Sequence, residues 1–157
     1  MQRTVVIFLL VAQLAGPVLM LRAAAKKMIP AVIVNRDNPV EDLSLSELRK
    51  IFSGQRRAWP GGTPVKIVVR GVGTEERAAM LRLLGLTENE YRQWSTQVFG
   101  DDASSAPLVM PSFGMVKEAV AAFSGSIAIV DFSMIKPDMK VIKVDDHLPG
   151  EADYPLQ

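Results

Sequence analysis

The chain has no cysteine and a single histidine, His147, so disulfide bridges, thiol nucleophiles and lipid attachment through sulfur are all excluded. A serine nucleophile needs a base within hydrogen-bond reach. The sequence has no G-x-S-x-G elbow, and His147 lies in the polar tail stretch Asp145-Asp146-His147-Leu148-Pro149-Gly150. Covalent catalysis is therefore not the expected chemistry, and the chain reads as a non-enzyme. Asp145, Asp146 and His147, like the pair Asp101-Asp102, read as hydrated turns, because adjacent residues rarely converge on one ion without more distant partners. No metal or cofactor is implied. Aromatic residues are also scarce, at 6%. Trp94 falls on the apolar stripe of a helical pattern and Trp59 precedes Pro60 in a turn, so both are expected to pack, Trp59 over a sheet edge. Met110, Met115 and Met134 likewise read as packing residues.

Excess charge is missing too. The 157 residues carry 18 basic and 17 acidic side chains. The amino terminus reads as an export signal: Arg3, the apolar run 5–11, the helix-breaking Gly16-Pro17, and Ala23-Ala24-Ala25 in an A-x-A arrangement. The alternative, an uncleaved anchor over 5–21, is at the short limit for a membrane span and is interrupted by Gln13, Gly16 and Pro17. Cleavage after Ala25 removes Arg3 and Arg22 and no acid. It leaves 132 residues (157 − 25) with 16 bases against 17 acids, a net charge of −1. Such a balance argues against a nucleic-acid surface, which needs clustered Lys and Arg in excess. It also fits one periplasmic domain over 26–157, a length that supports a single core without disulfides.

Along the mature chain, the β-rich run 28–35 ends at the turn formers Arg36-Asp37-Asn38-Pro39 and predicts a strand. Ser44-Leu45-Ser46-Glu47 is a capping box. It opens a helix whose Leu45, Leu48, Ile51 and Phe52 share a face before Gly54 ends it. A strand over 65–69 follows the turn Trp59-Pro60-Gly61-Gly62. Next come a helix over 75–84 closed by Gly85 and a second one announced by Thr87-Glu88-Asn89-Glu90 and running to Gly100. Residues 101–111 read as a surface loop, after which Ser112 caps a helix through Val116, Ala119, Val120 and Phe123. Two short strands are expected at 126–131 and 140–144. Helices alternating with strands predict an α/β fold, a small sheet covered by helices.

The chemically suggestive spot is where the strand Val65-Lys66-Ile67-Val68-Val69-Arg70 meets Gly71-Val72-Gly73-Thr74 and the helix beginning at Glu75. An arginine at a strand's carboxyl end, a glycine turn and the unpaired N–H groups of a new helix can together hold an oxyanion. That points to binding rather than bond breaking.

Several segments together carry a family resemblance: Val-Ile-Val-Asn at 32–35, Leu-Ser-Leu-Ser-Glu-Leu-Arg-Lys-Ile-Phe-Ser-Gly at 43–54, Trp59 before a glycine turn, Arg70, and Tyr154-Pro155-Leu156. They resemble the periplasmic phosphate-binding proteins of ABC importers. The chain looks like a short member made of one lobe of the type II periplasmic binding protein-like fold, a small mixed sheet flanked by helices. In the two-lobed members the ligand is held between lobes by a loop with Arg followed by Ser-Gly-Thr. Here Arg70, Gly73 and Thr74 match, with Val72 at the serine position. Ser-Gly-Ser-Ile-Ala-Ile at 124–129 stands where the family tends to have Pro-Gly-Ala-Ile-Gly-Tyr, keeping Gly125.

The resemblance implies phosphate or another small oxyanion as ligand, held by Arg70, Gly73, Thr74 and Ser112. An inner-membrane transporter or a second periplasmic protein is the implied partner, with no nucleic acid. Charge-assisted hydrogen bonds contribute roughly 1.5 to 3 kcal/mol each, while a micromolar complex needs about 8 kcal/mol, so one lobe is expected to bind weakly or with a partner's help. Val72, Glu75 and Glu76 motivate an alternative, because two carboxylates in the first helical turn already complement the helix dipole and repel an anion. On that alternative the same fold is a ligand-free periplasmic interaction or sensor-accessory module.

Overall fold

The computed structural model describes residues 27–100, 102 and 104–157; the expected leader, residues 1–25, lies outside the described residues. Strand β1 is Pro30–Val34, and all five of its residues are buried. A two-residue strand β2, Asp42–Leu43, precedes helix α1, Leu45–Phe52. The α1 capping box forms as expected: the Ser44 hydroxyl accepts from the Glu47 N–H and the Glu47 carboxylate accepts from the Ser44 N–H. Strand β3, Lys66–Arg70, leads into α2, Glu75–Leu84, which ends at Gly85 in the left-handed conformation (φ 67°). Helix α3, Glu88–Phe99, carries the second capping box, Thr87 with Glu90. Then come β4 (Leu108–Met110), α4 (Phe113–Ala122) capped by Ser112, β5 (Ser126–Asp131), a 3-10 turn at Phe132–Met134, and the short strands β6 (Lys140–Val141) and β7 (Lys143–Val144).

The main sheet has the order β4-β3-β5-β1-β6. Strand β3 runs parallel to both β4 and β5, while β1 runs antiparallel to β5 and β6, so the sheet is mixed as expected. Successive residues of its central strands feed two separate cores. Val32, Val34, Ile67, Val69, Ile127 and Ile129 face α1, α2 and α3, whereas Ala31, Ile33, Val68, Ala128 and Val130 face α4. A sheet covered on both faces explains why 30–34 and 126–130 read as nearly unbroken apolar runs instead of alternating.

Three expectations are corrected. The segment 101–111, read as a loop, contains β4, a three-residue edge strand bracketed by Pro107 and Pro111 and paired with β3 from Val68↔Leu108 to Arg70↔Met110. Three residues are too few for a periodic signal, and it is the neighbouring β3 that makes them a strand. The strand expected over 140–144 is two: β6 joins the main sheet, and β7 turns away to pair in parallel with β2 in a separate two-stranded ribbon. Met115 and Met134 are not core residues, being 44% and 40% exposed. Met110 does pack against the α4 core. The tryptophans behave as expected: Trp94 lies against Tyr91 and Phe99, and Trp59 is buried with its indole N–H donating to the Gly125 carbonyl at 2.8 Å.

Candidate functional site

The parallel strands β3 and β4 are neighbours, yet the helices that follow them go to opposite faces. Ala79, Met80 and Leu83 of α2 lie in one core, and Val116, Ala119 and Val120 of α4 lie in the other. Where two adjacent strands send their connections to opposite sides, a crevice opens beyond their carboxyl ends, and that is the usual ligand position in open α/β sheets. Both helix N-termini lie at this end of the sheet, since α2 follows β3 and α4 follows β4, and the pairing of those strands, not any local motif, puts them there.

Arg70 closes the carboxyl end of β3 and reaches across to β4, its Nη1 donating to the Met110 carbonyl at 3.1 Å. Its Nε stands 3.8 Å from a carboxylate oxygen of Glu76, and the two side chains are each only 14% exposed. That Nε–H is buried and has no hydrogen-bond partner. Gly73 holds the turn at φ 85°, a value only glycine adopts without strain. Thr74 is the N-cap of α2. Its hydroxyl accepts from the Arg77 N–H at 3.3 Å and donates to the Gly71 carbonyl at 2.9 Å, so its one proton is already used. Ser112 caps α4 in the same way, accepting from the Met115 N–H at 3.2 Å. The structure thus brings Arg70, Gly73 and Thr74 to one corner. Ser112 sits at the adjacent strand end, two residues beyond the carbonyl that Arg70 holds. Thr74 thus turns both its hydroxyl proton and its backbone N–H to the Gly71 carbonyl, whereas the Ser112 hydroxyl only accepts and keeps its own O–H for a ligand.

Glu76 is the residue whose position sequence reading misses. It occupies the second position of α2, and helical side chains lean toward the helix N-terminus, so its carboxylate folds back over the corner toward the strand-end arginine. A signal was present, in that an acid two residues past an N-cap can meet a cation at the preceding strand end. The Met110 carbonyl carried no such signal, since β4 itself was not legible. Beside the corner lies an open groove of about 930 Å³ lined by Lys27, Met28, Thr74, Glu75, Glu76, Arg82, Asp131 and Gln157. Its three carboxylates face two cations, so it offers no net attraction to an anion. The same carboxyl edge displays apolar side chains, with Val72 73%, Met115 44% and Phe132 41% exposed. Among the described residues no group of three or more His, Asp or Glu side chains is placed to hold a metal ion. No described helix is long and apolar enough to cross a membrane.

No protein-family model and no curated protein sequence matches this chain. Solved structures do. An ABC-type phosphate transport receptor from Vibrio cholerae superposes with a TM-score of 0.63 at 24% identity, over 78% of this chain and 48% of the receptor. A phosphate-binding protein from Stenotrophomonas maltophilia gives 0.60 at 20% identity, over 78% and 40%. PstS from Borrelia burgdorferi gives 0.59 at 16% identity, over 78% and 49%. At these identities the likeness establishes the fold: the chain is built like one lobe of such proteins and spans less than half their length.

Proposed function

We propose that this chain is an exported, single-lobe solute-binding-like domain that takes phosphate or another small oxyanion at the β3–β4 crevice, in association with ABC-type phosphate uptake. The observation that carries the reading is Arg70. Its largely buried guanidinium lies at the point where the α2 and α4 N-termini diverge, with its buried Nε–H unspent. The Gly73 N–H, the start of α2 that Thr74 caps, and the Ser112 hydroxyl with the first turn of α4 complete the donor set. A single guanidinium contact plus the helix end supports about 4 kcal/mol, a dissociation constant near the millimolar range. The likeness in fold to phosphate receptors supports the ligand class, and the A-x-A pattern at Ala23 to Ala25 supports export. N-terminal sequencing of the periplasmic protein checks the latter, with Lys26 expected as the first residue.

The test is calorimetric titration of the purified protein with phosphate, sulfate and molybdate, beside Arg70→Ala and Arg70→Lys variants whose circular dichroism matches the wild type. Saturable heat from the wild type and none from Arg70→Ala is expected. Equal binding by both refutes Arg70 as the ligand residue. The second reading, a ligand-free interaction module, is favoured by Val72, Met115 and Phe132 exposed along the same edge. Its mark is absence of heat from every anion together with a specific periplasmic cross-link that Val72→Glu abolishes.

A further inference from the structure

We infer that Glu76 is an intramolecular counterion that stands in the oxyanion position beside Arg70 and sets how weakly this lobe takes a small oxyanion; the inference rests on the reading of Arg70 as the ligand residue. Two attractions would draw an oxyanion to this corner, the guanidinium and the positive end of α2. Glu76 already answers both. Its carboxylate is 3.8 Å from Arg70 Nε, it belongs to the first turn of α2, and it is as buried as its partner. The pairing is nevertheless loose. At 3.8 Å it is an ion pair without a hydrogen bond, and the buried Arg70 Nε–H is left unspent. An incoming oxyanion that can reach this donor meets the Glu76 charge at the same place, so it must displace the carboxylate or bind against its repulsion.

Glu75 provides the internal comparison. It carries the same charge on the same helical turn, but it is exposed and forms no ion pair among the described residues. A general field effect of negative charge makes the two residues equivalent, whereas occupancy of the site separates them. Glu76→Gln removes the charge and keeps the shape, so it frees the guanidinium without opening a hole.

The experiment titrates the purified wild type, Glu76→Gln, Glu75→Gln, Arg70→Ala and the double variant Arg70→Ala/Glu76→Gln with phosphate and sulfate, with circular dichroism as the fold check. We expect Glu76→Gln to tighten binding at least tenfold, about 1.4 kcal/mol, and Glu75→Gln to change it less than about threefold. The double variant should bind no better than Arg70→Ala. Arg70-dependent binding that is equally tight in Glu76→Gln and Glu75→Gln overturns the counterion inference and leaves the oxyanion reading standing. No binding by any variant, Glu76→Gln included, overturns the oxyanion reading and takes the inference with it. Nitrogen-15 NMR of Arg70 Nε–H gives a ligand-free readout: its solvent exchange should quicken in Glu76→Gln and stay at the wild-type rate in Glu75→Gln. Equal rates in the two variants count against the pairing itself.

Discussion

Replacing Gly125 by alanine should be among the most damaging single-methyl changes in this protein. A Cβ at that position would lie 1.8 Å from the Pro64 carbonyl oxygen and 2.9 Å from its carbon, both backbone atoms that no rotamer change can move. Ordinary contact begins at 3.4 Å, so the two segments must separate by roughly 1.6 Å (3.4 − 1.8). The Gly125 carbonyl meanwhile accepts from Trp59 Nε1 at 2.8 Å and from the Lys66 N–H at 2.9 Å, and Lys66 opens the β3–β5 ladder opposite Ser126. A shift of that size breaks both bonds. Losing the Lys66 bond costs about 1 kcal/mol, leaving the buried Trp59 N–H unsatisfied costs about 1 to 3, and the residual overpacking about 1 to 3. The sum, roughly 3 to 7 kcal/mol, is a large part of the 5 to 15 kcal/mol that holds a typical domain. Urea unfolding followed by Trp59 fluorescence in a Trp94→Phe background measures it, and with an m-value of about 2 kcal/mol/M the midpoint should fall by roughly 2 M. Trp59→Phe should lower the midpoint by less. Combined with Gly125→Ala it should add less than its own effect, because both changes break the same bond. A Gly125→Ala midpoint within about 0.3 M of wild type, with an unchanged m-value, refutes the argument.

Two further outcomes follow from buried polar contacts. The Asn35 amide donates to the carbonyls of Val120 and Ala121 at 2.9 and 3.0 Å, closing the end of α4, which has no basic residue in its last turn and no glycine cap. Asn35→Ala should therefore cost about 2 kcal/mol and lower the thermal midpoint by roughly 8 °C, and an unchanged midpoint would show that α4 closes without it. Glu88 grips the buried Arg77 through two bonds, at 2.8 and 3.1 Å, while the guanidinium lies 4.1 Å from the centre of the Tyr91 ring. The Arg77 hydrogen bond holds the Glu88 carboxyl below its ordinary 4.5. The unfolded chain thus binds this proton more readily than the folded one. The stability from Glu88 is present above about pH 4.5 and is lost as pH falls through the folded value. Glu88→Gln should cost about 2 kcal/mol at pH 7 and flatten the loss of stability between pH 5 and 3. A variant whose acid limb stays parallel to wild type would contradict this.

The candidate site was partly legible before folding. Arg70, Gly73 and Thr74 could be placed together because a strand end, a glycine turn and a helix cap are contiguous in the chain, and the structure does put them at one corner. Ser112 was legible as a helix cap, but its place beside that corner depends on β4 lying next to β3. Glu76 was legible as a charge in the first turn, while its approach to Arg70 depends on how α2 leaves the strand.

What the sequence by itself determined are the features whose physical causes act over a few residues. The capping boxes at Ser44 and Thr87, the left-handed Gly85 that ends α2, and the unbroken apolar run of β1 are of this kind, and from them the α/β class follows. Only the tertiary structure decided the pairing of β4 with β3, the separation of β6 from β7, and the sending of α2 and α4 to opposite faces. Three-residue and two-residue strands have too little intrinsic preference to declare themselves, so they exist because a neighbouring strand supplies their hydrogen bonds. The approach of the Met110 carbonyl and the Glu76 carboxylate to Arg70 belongs to that second set, since it depends on β4 lying beside β3 and on how α2 leaves the strand.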